Sequence, residues 1–128
     1  MLQCIEFVFC NVEIDTNIPA NYVKSFTAIE CSFPNLSYFS SMSRLEELTL
    51  FPISMDVNSL ILPRNVKFLT TSVPFYCVDN VLPLDFISKL IRLSVNVSVV
   101  SHDEGACLEW KLSVLKQNPF AKIKLIVE

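Results

Sequence analysis

A thiol five positions from an imidazole, Cys107 and His102, is the smallest unit in this chain that could do nucleophilic chemistry. His102 is the sole histidine. A histidine in a loop and a cysteine on the apolar face of a following helix account for both residues without any reaction. Zinc would need ligands in pairs, and the five cysteines, Cys4, Cys10, Cys31, Cys77 and Cys107, include no C-x-x-C. Glu46 and Glu47 are adjacent, so on a strand they face opposite sides. Asp103 and Glu104 suit the start of a helix. Neither pair suggests acid–base catalysis. The serines Ser40, Ser41 and Ser43 have no partnered base, and no basic neighbour in sequence activates Cys4. With Gly105 as the only glycine, phosphate-cradling and dinucleotide-binding loops are disfavoured. The expectation is a chain with no catalytic residue, no metal and no cofactor. A small α/β enzyme with a Cys/His site is the alternative.

Composition narrows the class further. The chain has 128 residues, of which 52% are hydrophobic and 18% charged, enough for a single domain over 1–128 with a real core. A net charge of −3 disfavours nucleic acid as a partner. The charge is uneven: residues 1–63 carry two basic and seven acidic residues, and residues 64–128 carry eight and six, roughly −5 and +2. One end could therefore prefer basic partners and the other acidic ones. Apolar runs are broken before the ~18 residues of a membrane helix, so no membrane partner is expected. The start, Met1-Leu2-Gln3-Cys4-Ile5-Glu6, lacks the basic flank of a secretion signal. Free thiols in a reducing compartment, cytoplasmic or nuclear, follow as the expectation. The sequons at Asn35 and Asn96 then read as chance matches.

The elements that would position these residues repeat. Leu45-Glu46-Glu47-Leu48-Thr49-Leu50 is an L-x-x-L-x-L unit. Its apolar spacing recurs as Leu2, Ile5, Phe7, as Val23, Phe26, Ala28, as Val66, Leu69, Thr71, as Leu90, Leu93, Val95, and finally as Phe120, Ile123, Leu125. The first positions are therefore 2, 23, 45, 66, 90 and 120, with steps of 21, 22, 21, 24 and 30. The last two apolar positions of each unit flank one residue, as a strand with its period of two requires. The flanked residues, Glu6, Thr27, Thr49, Thr70, Ser94 and Lys124, are all polar. A strand every ~21 residues suits stacked parallel strands and does not suit antiparallel hairpins.

The pattern resembles the leucine-rich repeat. Counting the first apolar residue as one, Cys10 and Cys31 fall at the ninth position, where that family places Asn or Cys. Val12, Phe33, Met55, Tyr76 and Val100 fall at the eleventh. Cysteine at the ninth position is similar to the intracellular repeats of F-box substrate receptors. Ile53, Pro74 and Ser98 depart from the pattern there. The resemblance implies an α/β fold, a right-handed leucine-rich-repeat solenoid of about five to six repeats. Its parallel sheet would form the concave face, with irregular or short helical returns. It also implies that the ninth side chain satisfies backbone groups where the chain leaves each strand.

The returns differ along the chain. Residues 33–39 suit an irregular turn, Leu60 to Pro63 and Leu82 to Leu84 suit extended packing, and Asp85 to Lys89 suits one helical turn. After Ser101 or Asp103 as a cap, apolar residues from Ala106 to Leu115 follow helical spacing until Asn118-Pro119. A strand over 121–127 would then complete a βαβ unit, and 101–128 could serve as a C-terminal cap. Leu2 already sits in a repeat, so the expectation at the other end is a missing cap and a chain that is a fragment of a longer one.

The sheet face pointing away from the core is the remaining candidate surface. It would carry Glu6, Ser25, Thr27, Glu47, Thr49, Phe51, Phe68, Thr70, Ser72, Arg92, Ser94, Lys122 and Lys124. Phe51 and Phe68, on neighbouring strands and offset along the strand direction, stand out as large apolar groups among hydroxyls and charges, the composition of an interface hot spot. Either could instead fold into a neighbouring return. The functional expectation is a protein–protein interaction scaffold, a monomer or part of a longer chain. Substrate recognition in an F-box-like protein is the role the resemblance implies. A fragment without independent function is a further alternative.

Overall fold

Alternation of apolar and polar residues at period two builds every well-buried strand of this protein. The computed structural model describes residues 4–8, 23–31, 42–52, 62–63 and 65–128. Within them lie strands β1 (Cys4–Val8), β2 (Ser25–Cys31), β3 (Glu47–Pro52), β4 (Phe68–Pro74), β5 (Arg92–Val99) and β6 (Lys122–Val127). The helices are α1 (Val78–Val81), α2 (Leu84–Lys89) and α3 (Glu104–Gln117), with 3-10 turns at Phe75–Cys77 and Ser101–Asp103. The strands form one six-stranded sheet in the order β1-β2-β3-β4-β5-β6, and every neighbouring pair is parallel. The fold is mixed α/β.

Strand pairing follows the repeat. Ile5 pairs with Phe26, Phe26 with Leu48, Leu48 with Leu69 and Leu69 with Leu93, the same four steps that separate the sequence units. Phe26, Leu48, Leu69 and Leu93 are at most 1% exposed, and so are Ala28, Leu50, Thr71 and Val95 two positions on. Val23, Leu45, Val66 and Leu90 form a third buried column. Those three columns are the core on one side of the sheet.

A backbone relay fixes where each strand begins. The carbonyl of Lys24 accepts from the amides of Glu46 and Glu47; that of Glu46 accepts from Lys67 and Phe68; that of Lys67 accepts from Ile91 and Arg92. Each rung thus hands the next its register through one shared oxygen. Asn65 adds a side-chain tie, donating from Nδ2 to the carbonyls of Ser43 and Leu45.

The last rung departs from the sequence spacing. Ile123 pairs with Val95, not with Leu93, so β6 sits two positions out of the expected register. Phe120, expected in an apolar core column, is 86% exposed. Asn118 explains the shift. It is buried, and its Nδ2 donates to the carbonyls of Ile87 (3.3 Å) and Leu90 (3.0 Å). Those two bonds anchor the chain before Phe120 can turn inward. A shift of two keeps the side-chain parity, so Lys122 and Lys124 still share the face opposite the core.

The described returns match their composition in part: Leu82 is buried and Pro83 extended, but Leu84, expected to pack extended against the core, opens α2 and is 42% exposed. Pro74 and Pro83, both extended, precede the 3-10 turn and α2, where a fixed φ and a missing amide are tolerated. α2 covers the expected helical turn and begins one position earlier, at Leu84. α3 buries Cys107, Trp110 and Val114, packs on α2, and is followed by Asn118 as the sequence predicts. Asp103 occupies its N-cap position without a side-chain cap bond. Residues 33–39, Ser40, Ser41, Leu60 and Ile61 lie outside the described residues, as do Leu2, Cys10, Val12, Ile53 and Met55.

Candidate protein-binding face

The site is the sheet face opposite the core, and strand register sets its order. One row runs Glu6, Thr27, Thr49, Thr70, Ser94, Lys122 across all six strands. Lys122 takes the last place, where the repeat spacing puts Lys124; Lys124 lies opposite Asn96 instead. Below this row run Cys4, Ser25, Glu47, Phe68 and Arg92. Thr27, Thr49, Thr70 and Ser94 are half-buried, and Cys4, Glu47, Arg92, Lys122 and Lys124 are exposed. The hydroxyls therefore lie low on the sheet, with the charges standing clear of it.

Phe68 and Arg92 form the best-defined unit on this face. They are direct partners on β4 and β5, and the Arg92 guanidinium carbon lies 5.4 Å from the Phe68 ring centroid. That is cation–π range, a contact of about 0.5–1 kcal/mol at an exposed site. It holds the arginine's donors over the sheet. Phe51 belongs elsewhere. Phe68 is level with Glu47, four positions before Phe51 on β3, so the two rings are roughly 13 Å apart along the strand direction. Phe51 is level with Ile29 of β2, an apolar pair. Both phenylalanines remain on the strand face, half-buried. Phe51 and Phe68 are thus two separate apolar points on the face rather than one.

Charge is graded across the face. Glu47 belongs to β3, and Arg92, Lys122 and Lys124 belong to β5 and β6. The exposed Glu46–Lys67 pair at 3.7 Å, beside the β3 and β4 starts, adds little net charge.

Cys107 is fully buried in α3, and burial pushes its thiol up, with Glu104 adding to the effect and Lys111 opposing it. His102 is exposed in the preceding turn, its Nε2 3.6 Å from Asp103 Oδ2. No cluster of three potential metal ligands occurs among the described residues. Near the carboxyl ends of β4 to β6 lies a depression of about 110 Å³, bordered by Tyr76, Ser98, Asp103 and Glu128. It is well below the ~300 Å³ of a small-molecule site.

Four polar or thiol side chains organise the sheet through bonds that the repeat pattern does not show. Thr71, in a leucine position, is 1% exposed, and its Oγ1 donates to the Leu50 carbonyl at 2.8 Å. The β3–β4 pairing ends at Leu50 and Thr71, so the hydroxyl supplies a last bond beyond the backbone ladder. Cys77, not the ninth-position Pro74, carries the thiol-to-backbone bond where β4 is left: its Sγ donates to the Pro74 carbonyl at 3.4 Å. Asn65 and Asn118 are the other two, and each stands close to an apolar column, a signal visible in sequence. Of the ninth-position cysteines, Cys31 ends β2 opposite Pro52, after a register irregularity between Ile29 and Cys31.

No helix among the described residues is long and apolar enough to cross a membrane. Neither a family model, nor a curated protein, nor a solved structure matches this chain.

Proposed function

We propose that the chain is a repeat scaffold of the leucine-rich type that binds a protein partner on its polar sheet face. The observation that carries this reading is the in-register row Thr27, Thr49, Thr70, Ser94, flanked by Phe68 under Arg92. An ordered row of short hydroxyls offers donors and acceptors at strand spacing. Aromatic residues and arginine are enriched at interface hot spots, and here they stand together. The partner fits best with acidic groups over β5 and β6, where Arg92, Lys122 and Lys124 gather, and basic groups towards Glu47.

The cysteine-containing form of the repeat leads us to propose substrate recognition in an F-box-like receptor, within the cell, as the setting. The Cys/His enzyme is the weaker reading, because a fully buried thiol with a raised pKa is a poor nucleophile.

A photo-crosslinking residue placed at Thr49 or Thr70 tests the proposal against the same residue placed at Glu109 on α3. Crosslinks to one defined protein from the face positions only, lost in the Phe68→Ala/Arg92→Ala double variant, are expected. Equal capture from α3, or capture insensitive to the double variant, would refute it.

A further inference from the structure

β6 leaves one edge of the sheet open among the described residues. Its core-facing Ile123 and Leu125 are only half-buried, whereas Val95, Val97 and Val99 on β5 are at most 3% exposed. On it and just before it, Phe120, Ile126 and Val127 are 86%, 43% and 46% exposed. Unpaired strand amides next to uncovered apolar side chains are a template for another strand.

We propose that this strand is β6 of a second copy, paired antiparallel about a two-fold axis through Leu125. Register and charge select that axis. In a symmetric antiparallel pair, residues i and j face each other when their sum is constant. Opposed residues share a sheet face, so the sum must be even and the axis must pass a residue. An axis at Ile123 sets Lys122 against Lys124, and one at Lys124 sets that lysine against itself. Like charges directly opposed are destabilising. An axis at Leu125 instead sets Lys122 against Glu128 of the copy, twice, and Ile123 against Val127, twice, with Leu125 meeting Leu125 on the core side. Lys124 then lies opposite the apolar Ile126, with no like charge to oppose it. An axis at Ile126 retains a Lys124–Glu128 pair but overlaps the two copies of β6 over Leu125–Val127 only, against Ile123–Val127 for the axis at Leu125.

Glu128 is placed for this role. Its amide donates to the Val99 carbonyl at 2.9 Å, so it continues the line of β6 beyond Val127. Edge lysines ordinarily discourage strand pairing. In this one register each Lys122 meets an acid, and the pairing becomes selective for its own copy. The dimer would use the sheet edge, so the polar face remains free for a different partner.

Sedimentation velocity on the 128-residue chain across its soluble concentration range tests the proposal. A reversible dimer is expected. Lys122→Glu and Glu128→Lys should each weaken it by about tenfold or more, and the double swap should restore it. Each variant's thermal melt confirms folding, since both side chains are exposed. A wild-type monomer throughout, as when the edge is left for some other occupant, would overturn the proposal. So would a dimer indifferent to both single swaps, or single losses that the double swap does not rescue. None of these outcomes touches the crosslinking result at Thr49 and Thr70.

Discussion

The interior rungs, β2 to β5, and the β5–α3–β6 end use different means to hold a strand in line. In the interior, one carbonyl per rung accepts two amides from the next, from Lys24 through Glu46 to Lys67. The strand-to-strand steps stay nearly equal, and the inward side chains are almost wholly buried. At the end, a 14-residue helix lengthens the return, Asn118 takes over the anchoring, and the inward Ile123 and Leu125 of β6 stay half-exposed. The end also leaves the buried Trp110 Nε1 without a hydrogen-bond partner among the described residues. A backbone relay needs no particular side chain, so it survives sequence drift. An asparagine anchor depends on one residue, and it places the strand differently.

Paired substitutions probe this contrast. Leu69→Ala empties a fully buried position between two neighbouring strands and should cost about 2–5 kcal/mol in urea unfolding. Leu125→Ala, at the half-buried end, should cost clearly less in the same assay. Equal losses would mean that the two regions are packed alike. Asn118→Ala deletes two buried side-chain bonds to turn carbonyls and should cost about 1–3 kcal/mol. Asn65→Ala, in an exposed residue, should cost less; the reverse order would remove Asn118 from its anchoring role.

Among the described side chains, one buried thiol lies in each region, Cys77 after β4 and Cys107 in α3. Burial raises the pKa of both, so the folded protein favours the neutral thiol. Their contribution to stability is complete below the ordinary thiol range and is lost from there upward as pH rises through the raised pKa of the folded state. The melting temperature should therefore fall between about pH 8 and pH 10. The fall should be smaller in Cys77→Ala/Cys107→Ala, measured as the change in Tm between the two pH values. An undiminished fall would assign it to other groups. The smallest effect belongs to Lys67→Ala. Its ion pair with Glu46 is half-exposed, and its loss should change stability by about 0–1 kcal/mol by the same urea assay.

Much of the interior can be read from the sequence because a strand's period of two writes burial directly into residue type. Phe26, Leu48, Leu69 and Leu93 pair as the L-x-x-L-x-L spacing predicts. The end is harder to read. Phe120 has the right type and phase for a core column, but a pattern of apolar residues cannot register the two side-chain bonds of Asn118 that hold the chain just before it. Thr71 and Cys77 are hidden for the same reason: each sits in the core to satisfy a carbonyl, and hydropathy alone does not mark an acceptor in need of a donor. On the polar face, residue parity is enough to assign each candidate its side of the sheet. The offset of Phe68 from Phe51 follows from the repeat spacing, whereas the contact of Phe68 with Arg92 needs the structure.

Both the binding face and the open edge depend on six parallel strands lying side by side in chain order. Spin labels paired between Thr27 and each of Thr49, Thr70, Ser94 and Lys122, at low protein concentration, measure that order directly. The backbone separations should grow by roughly 4.8 Å per strand, reaching about 19 Å at Lys122. A Lys122 label nearer to Thr27 than the Thr70 label is, or any other break in the rising sequence, would contradict it.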